Sequence, residues 1–197
     1  MAPWREELIS YIRIEALPIE KFSHQPRLYA LTQLIDPDAD TDILFASVWL
    51  HDLGVFLGHR PAEKAELEKW DSAAYAVRVT PEILTRLGFP VEKIPAVVEC
   101  IANHQPHNTP QSHEAAVLRD ADILEQLGSV GILRTVCKVG RDTRFHTFAE
   151  AVASLTHALD TLPAKITLDR TRELAASRIA VLQHFLMELQ EEARGEL

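Results

Sequence analysis

The sequence predicts an all-α domain built around a buried central helix. Apolar residues recur every three or four positions along most of the 197-residue chain, which is the spacing of amphipathic helices. No segment alternates apolar and polar residues over a useful length, as a half-buried strand would. Glycine is scarce, at 7 residues, whereas the helix-favouring residues Leu, Ala, Ile and Glu are abundant. A chain of this size can bury a sizeable core without disulfides.

Nine or ten helices follow one another along the chain, separated by proline, glycine and capping residues. We predict them at about residues 4–15, 24–35, 43–53, 71–80, 81–87, 94–104, 112–127, 130–139, 148–159 and 168–193. The third helix, capped by Thr41 or Asp42, is apolar almost all round (ILFASVWL), which places it at the centre of the core. A fresh start at Thr80-Pro81 is predicted because proline favours the first turn of a helix.

Charge and composition restrict the partners of the protein. The net charge is −9, from 20 basic and 29 acidic residues, so extended nucleic acid is an unfavourable partner. The two cysteines, Cys100 and Cys137, lie in apolar helical segments and are expected to be buried small hydrophobic residues. The N-terminal segment carries charges throughout, and no apolar run reaches the length of a membrane span. We therefore expect a soluble cytoplasmic protein without a membrane partner.

Ionisable residues on apolar helical faces are the most informative feature of the sequence. On the predicted helix at 112–127, Asp120 falls in the middle of an arc of apolar side chains. Asp122 points to the opposite side, with Arg119 and Gln126. Because a carboxylate among core residues is costly without a cation or several donors, Asp120 needs a partner and Asp122 does not.

Three histidines and a second aspartate have similar placements. His24 begins an apolar stripe, His104 continues another, and His51 and Asp52 occupy the last turn of the central helix. Each feature alone is ordinary, but His24, His51, Asp52 and Asp120 come from three helices and all face inward. Unpaired buried charges cost roughly several kcal/mol each, and one divalent cation would compensate them together. Imidazole and carboxylate without thiolate suit Mn²⁺, Fe²⁺, Co²⁺, Ni²⁺, Mg²⁺ or Zn²⁺.

These residues together resemble the HD superfamily of metal-dependent phosphohydrolases. The motifs are His24-x-x-Arg27, then Leu50-His51-Asp52-Leu53-Gly54, then His104, then Asp120-Ala-Asp-Ile-Leu-Glu. The stretch LRDADILEQLGSVGILRT also resembles a branch of bacterial predicted hydrolases. The resemblance covers roughly residues 20 to 145. It implies one HD-type helical domain over residues 1–197, with a core at about 20–145 and a C-terminal helical extension at about 146–197.

The resemblance also implies that His24, His51, Asp52 and Asp120 bind one metal ion. Family members with two metals carry a further histidine on the helix after the His-Asp pair. Here the corresponding stretch reads AELEKWDSAAYAV and contains none, which favours a single metal. His59, nearer to the pair, is interpreted as a surface residue.

The expected reaction is hydrolysis of a phosphomonoester or phosphodiester of a nucleotide or small phosphorylated metabolite. Asp52 would bind the metal and orient the attacking water, His104 would protonate the leaving oxygen or pack against the site, and Arg27 would hold a phosphate oxygen. One alternative is a signalling module that binds metal or nucleotide without turnover, and another is a metal-dependent oxygenase. The segment from Phe148 onward is expected to serve packing and to offer a homodimer surface.

Overall fold

A computed structural model of the chain describes residues 2–140 and 145–196, apart from the side chain of Glu20. Within this part there are ten α-helices and no β-strand, only an isolated bridge between Leu57 and Arg60. The helices are α1 Pro3–Glu15, α2 His24–Ile35, α3 Thr41–Leu50, α4 Lys64–Leu67, α5 Ser72–Arg86, α6 Ile94–Asn103, α7 His113–Gln126, α8 Gly128–Val136, α9 Phe148–Thr161 and α10 Asp169–Ala193. The all-α prediction is confirmed.

The chain divides into two compact units, residues 1–119 and 120–197, and the division falls within α7. In the first unit, α3 packs against α1, α2, α5 and α6. Every residue of α3 from Ile43 to Leu50 is buried, which confirms the predicted central helix. Its N-cap is Asp40, whose carboxylate accepts hydrogen bonds from the backbone N–H groups of Asp42 and Ile43. The prediction of Thr41 or Asp42 as the cap is therefore wrong by one or two residues.

The predicted break at Thr80-Pro81 is also wrong, because α5 continues through it. Pro81 lies inside the helix from Ser72 to Arg86. Proline removes one backbone hydrogen bond. Buried Thr80, Ile83 and Leu84 on both sides of it keep this segment packed as one helix.

In the second unit, α8, α9 and α10 pack against one another. Helix α9 begins with a reciprocal cap, in which Thr147 accepts from the Glu150 amide and Glu150 accepts from the Thr147 amide. The sequence predicted a C-terminal extension from about residue 146, whereas the compact unit begins at Asp120 because α8 packs with the later helices. None of the described helices combines the length and apolar character needed to cross a membrane.

Candidate metal centre

The His-Asp pair stands where the central helix ends. The His51 amide donates to Ser47 O at 2.9 Å and so continues the helical pattern by one residue. Asp52 then leaves the helix, with φ −94° and ψ 8°, and a 3₁₀ turn follows at Leu53–Val55. Because α3 is buried on all sides, its C-terminal end places the His51 side chain in the interior of the first unit, whereas the Asp52 side chain is partly exposed. His51 is 2% exposed.

Two imidazole rings are oriented by carbonyl oxygens of their own helical segments. His51 Nδ1 lies 2.9 Å from Val48 O, and His104 Nδ1 lies 2.6 Å from Ile101 O. Because a carbonyl oxygen only accepts, both Nδ1 atoms carry the hydrogen, and the neutral rings present a lone pair on Nε2. The two rings are neighbours, with centroids 5.0 Å apart. This is the tautomer that an Nε2-ligating histidine requires.

His24 completes the group of imidazoles. It is buried at the first residue of α2, and its Nε2 lies 3.3 Å from Nε2 of His51. The carboxylate of Asp52 is close to both, with Oδ2 3.8 Å from His24 Nε2 and Oδ1 3.7 Å from His51 Nε2. The potential ligand atoms of His51, Asp52 and His104 all lie within 4.8 Å of one another. The structure thus brings together His24, His51, Asp52 and His104.

The donor set suits a divalent cation. Two Nε2 atoms facing each other at 3.3 Å either share one hydrogen or direct their lone pairs at a common cation. The Nδ1 contact of His51 assigns the hydrogen of that neutral ring to the other nitrogen. A carboxylate within 4 Å supplies the negative charge that a cation needs. These residues can therefore bind a metal ion through nitrogen and oxygen.

Asp52 is held in its ionised form by the charges around it. Partial burial, with 27% of the side chain exposed, would by itself raise its pKa. Electrostatic interactions with nearby side chains outweigh that effect and hold the pKa of Asp52 well below its usual range; these side chains are His51, His24, His104 and Lys21. Lys21 lies in the 3₁₀ turn Ile19–Ser23, just before His24. No sequence motif marked Lys21 as part of the site.

Asp120 is fully buried, and its carboxylate has hydrogen-bond donors that no sequence pattern predicted. Its carboxylate accepts hydrogen bonds from the Leu168 amide at 2.8 Å and from the Thr167 amide at 3.1 Å. The Thr167 hydroxyl donates to it at 3.2 Å. Asp120 therefore anchors the start of α10 within the second unit. Its predicted role as a metal ligand stays a prediction.

The side of α7 opposite Asp120, which carries Arg119, Asp122 and Gln126, is buried or half-buried, so it differs less from the apolar side than predicted. Arg119 was predicted on the side opposite the apolar arc, but it is only 4% exposed and donates from Nη1 to Asn108 O at 2.9 Å. Glu125 is buried as well, and Asp122 is half-buried, where its carboxylate accepts from Gln126 Nε2 at 3.2 Å. Because α7 is buried on most of its surface, burial does not select one of the two aspartates.

Arg27 and His59 are the remaining residues near the predicted site. Arg27 is half-buried on α2, three residues after His24, and its role toward a phosphate stays a prediction. His59 was interpreted as a surface residue, and this is wrong: its side chain is 10% exposed. Its Nε2 lies 2.7 Å from Glu15 Oε2 and its Nδ1 lies 2.8 Å from the Tyr75 hydroxyl. No local pattern signals this, because the three residues are far apart in sequence.

The sequence matches no protein-family model and no curated protein. Solved structures do match, over nearly the whole length of both chains. The crystal structure of Bacillus subtilis YpgQ covers 98% of this chain and 96% of its own, with a TM-score of 0.75 and 21% identity. YpgQ in complex with ADP matches with a TM-score of 0.74 and 22% identity, covering 98% of this chain and 96% of its own.

Two further structures carry an explicit family description. A predicted HD superfamily hydrolase from an uncultured Thermotogales bacterium has a TM-score of 0.68 and 20% identity, covering 96% of this chain and 93% of its own. An HD-superfamily hydrolase from Bacillus thuringiensis has a TM-score of 0.70 and 18% identity, covering 97% of each chain. At these identities the likeness establishes the fold.

Proposed function

We propose, on the premise that this chain has the fold of the HD superfamily hydrolases, that it is a metal-dependent phosphohydrolase. Its substrate would be a phosphomonoester or phosphodiester of a nucleotide or another small phosphorylated metabolite. The observation that carries the proposal is the convergence of His24, His51 and Asp52, with Nδ1 of His51 tied to a carbonyl oxygen. The similarity to structures described as HD superfamily hydrolases supports a hydrolase. The ADP complex of the similar YpgQ supports a nucleotide as one substrate to test.

His24, His51 and Asp52 would hold the divalent ion. When bound, such an ion polarises phosphoryl oxygens and lowers the pKa of a coordinated water. Asp52 is ionised near neutral pH and is the residue suited to orient the attacking water, because its carboxylate is partly exposed and an ionised carboxylate is able to accept a hydrogen bond from water. Two roles are open to His104, whose ring adjoins that of His51: a further ligand or the acid that protonates the leaving oxygen. Arg27 would clamp a phosphate oxygen through its planar guanidinium group.

The fourth ligand in the proposal comes from the Asp-Ala-Asp motif of α7. The sequence predicts Asp120, whose carboxylate accepts hydrogen bonds from the amide and hydroxyl groups of Thr167 and from the amide of Leu168. Asp122 is the alternative carboxylate on the same helix, and it is half-buried. A matched pair of variants, described in the Discussion, separates the two.

Metal content and turnover are measured together to test the proposal. The purified protein is analysed for bound elements and then assayed for phosphate release from phosphorylated metabolites, ADP included, with each of the six candidate ions. We expect release with at least one ion. We expect His51→Ala to lose metal and activity, while His184→Ala, whose side chain is 71% exposed on α10, retains both. Metal binding without any phosphate release would favour the binding module, and oxygen consumption with Fe²⁺ would favour the oxygenase.

A further inference from the structure

We propose that His59 is a positioning residue for the metal centre. It lies at the middle of a hydrogen-bonded chain, Glu15–His59–Tyr75, that fastens the segment after the His-Asp pair to two helices. The segment, Leu53–Arg60, is called here the post-HD segment. By fixing this segment, His59 fixes the backbone from which the Asp52 carboxylate projects. The inference rests on the proposed function, because it assigns a purpose to His59 only if Asp52 binds metal.

The chemistry of Glu15 and Tyr75 determines which atoms carry the hydrogens in the two hydrogen bonds of His59. An ionised Glu15 carboxylate only accepts, so Nε2 of His59 carries a hydrogen and donates to it at 2.7 Å. In the neutral ring Nδ1 then accepts, and the Tyr75 hydroxyl donates to it at 2.8 Å. Glu15 is the last residue of α1, and Tyr75 lies in the first turn of α5. One half-buried imidazole therefore joins the post-HD segment to both helices.

Three other contacts attach the same segment to its surroundings. The Leu57 amide donates to Leu17 O at 3.0 Å, and Trp70 Nε1 donates to Gly54 O at 2.7 Å. Gly54 lies so close to the start of α5 that a Cβ there would come within 2.3 Å of Ser72 O. The side chain of Phe56 is fully buried. His59 differs from these three contacts because its side chain is ionisable and both of its ring nitrogens make hydrogen bonds.

Asp52 depends on such anchoring because little holds its carboxylate directly. Among the described residues it accepts no hydrogen bond, and its nearest imidazole nitrogens are 3.7 and 3.8 Å away. Its backbone is fixed instead: Val55 N donates to Asp52 O at 2.9 Å, which opens the 3₁₀ turn. A metal ligand needs its position held before the ion binds, and residues beyond the ligands supply this. Here the post-HD segment supplies it.

The test removes one hydrogen bond while leaving the packing intact. Tyr75→Phe deletes the hydroxyl that meets His59, and Tyr29→Phe is the matched control, since Tyr29 packs edge-on against Phe45 of α3. Mn²⁺ affinity is measured by calorimetry on the full chain, and the visible absorption of the Co²⁺-loaded protein reports ligand geometry. Thermal unfolding of the metal-free protein is followed in parallel.

We expect Tyr75→Phe to weaken Mn²⁺ binding by about tenfold, in the range for groups that support ligands, and to change the Co²⁺ spectrum. The control should do neither, and the metal-free unfolding temperatures of the two variants should agree. His59→Gln, whose amide can donate to Glu15 and accept from Tyr75, should retain most of the affinity that His59→Ala loses.

Three results would overturn the inference. Equal Mn²⁺ affinity in the wild type, Tyr75→Phe and His59→Ala would show that the hydrogen bonds of His59 do not position Asp52. Loss of affinity only in step with loss of folded protein would show a purely structural role. Failure of the wild type to bind any divalent ion would remove the proposed function first, and the inference with it, so the two failures are told apart by the wild-type titration.

Discussion

Helical geometry orients the two best-defined imidazoles of the centre. His51 and His104 each place Nδ1 on the carbonyl oxygen three residues earlier, Val48 and Ile101 respectively. Each ring is therefore held by its own helical segment, and its Nε2 lone pair is oriented before any cation arrives. Fixing the tautomer in this way raises the basicity of the ligating nitrogen and reduces the entropy lost on binding.

Metal binding should weaken in acid through the histidines and not through Asp52. Because the pKa of Asp52 is lowered in the folded protein, its contribution to stability is present above its unfolded value of about 3.9 and is lost only as the pH falls through the folded value. A histidine must be deprotonated at the nitrogen that binds the metal, so protons compete with the cation and log affinity should fall with a definite slope as the pH is lowered.

Calorimetric titration with Mn²⁺ between pH 5 and 8, roughly the window in which unperturbed imidazoles titrate, measures this slope. Asp52→Asn should lower the affinity at every pH and leave the slope unchanged. A slope that drops by one in this variant would mean that Asp52 itself takes up a proton in this range, contrary to the expectation.

The pair Asp120→Asn and Asp122→Asn separates anchoring from ligation. Asp120 accepts three hydrogen bonds from Thr167 and Leu168, so its replacement should lower the free energy of unfolding by about 1–3 kcal/mol. Urea unfolding of the metal-free proteins measures this, and Asp122→Asn should change it much less. Calorimetry on the folded variants then shows which one loses the metal. Unchanged affinity in both would remove α7 from the ligand set.

Among the elements, α3 matters most, because it carries His51 at its end. Its N-terminus is held by Asp40, which accepts from the amides of Asp42 and Ile43 and pairs with Lys93 Nζ at 2.9 Å. Burial would raise the pKa of Asp40, but Lys93 and the two amides outweigh it and hold the pKa below its usual value. The ionised side chain therefore stabilises the helix that presents the site.

Asp40→Ala should cost about 1 kcal/mol of unfolding free energy, as loss of an N-cap does. The control is Asp38→Ala, at an exposed position just before the helix. Because the pKa of Asp40 is depressed, the difference from the wild type should be present above about pH 3.9 and should shrink as the pH falls below it. Urea unfolding at a series of pH values measures it; a pH-independent difference would contradict the ionised cap.

For the whole molecule, the metal should act as a stabilising ligand. An ion that binds only the folded protein adds about 2.7 kcal/mol at a concentration of one hundred times its dissociation constant. We expect Mn²⁺ to raise the unfolding temperature of the wild type and EDTA to reverse the rise. The unfolding temperature of His51→Ala should change with neither Mn²⁺ nor EDTA. If Mn²⁺ raised it as much as in the wild type, the ion would bind at another site. The homodimer and the small phosphorylated substrate stay predictions.

The sequence by itself determined the helical class, the central helix and the inward direction of His24, His51 and His104. These follow from periodicity within single helices, which sets where a side chain points relative to its own axis. Tertiary structure decided what each inward residue meets. Asp120 meets Thr167 and Leu168, and His59 meets Glu15 and Tyr75, at sequence separations of 16 to 48 residues. Such partners depend on how distant segments pack, and no local pattern in the chain encodes that.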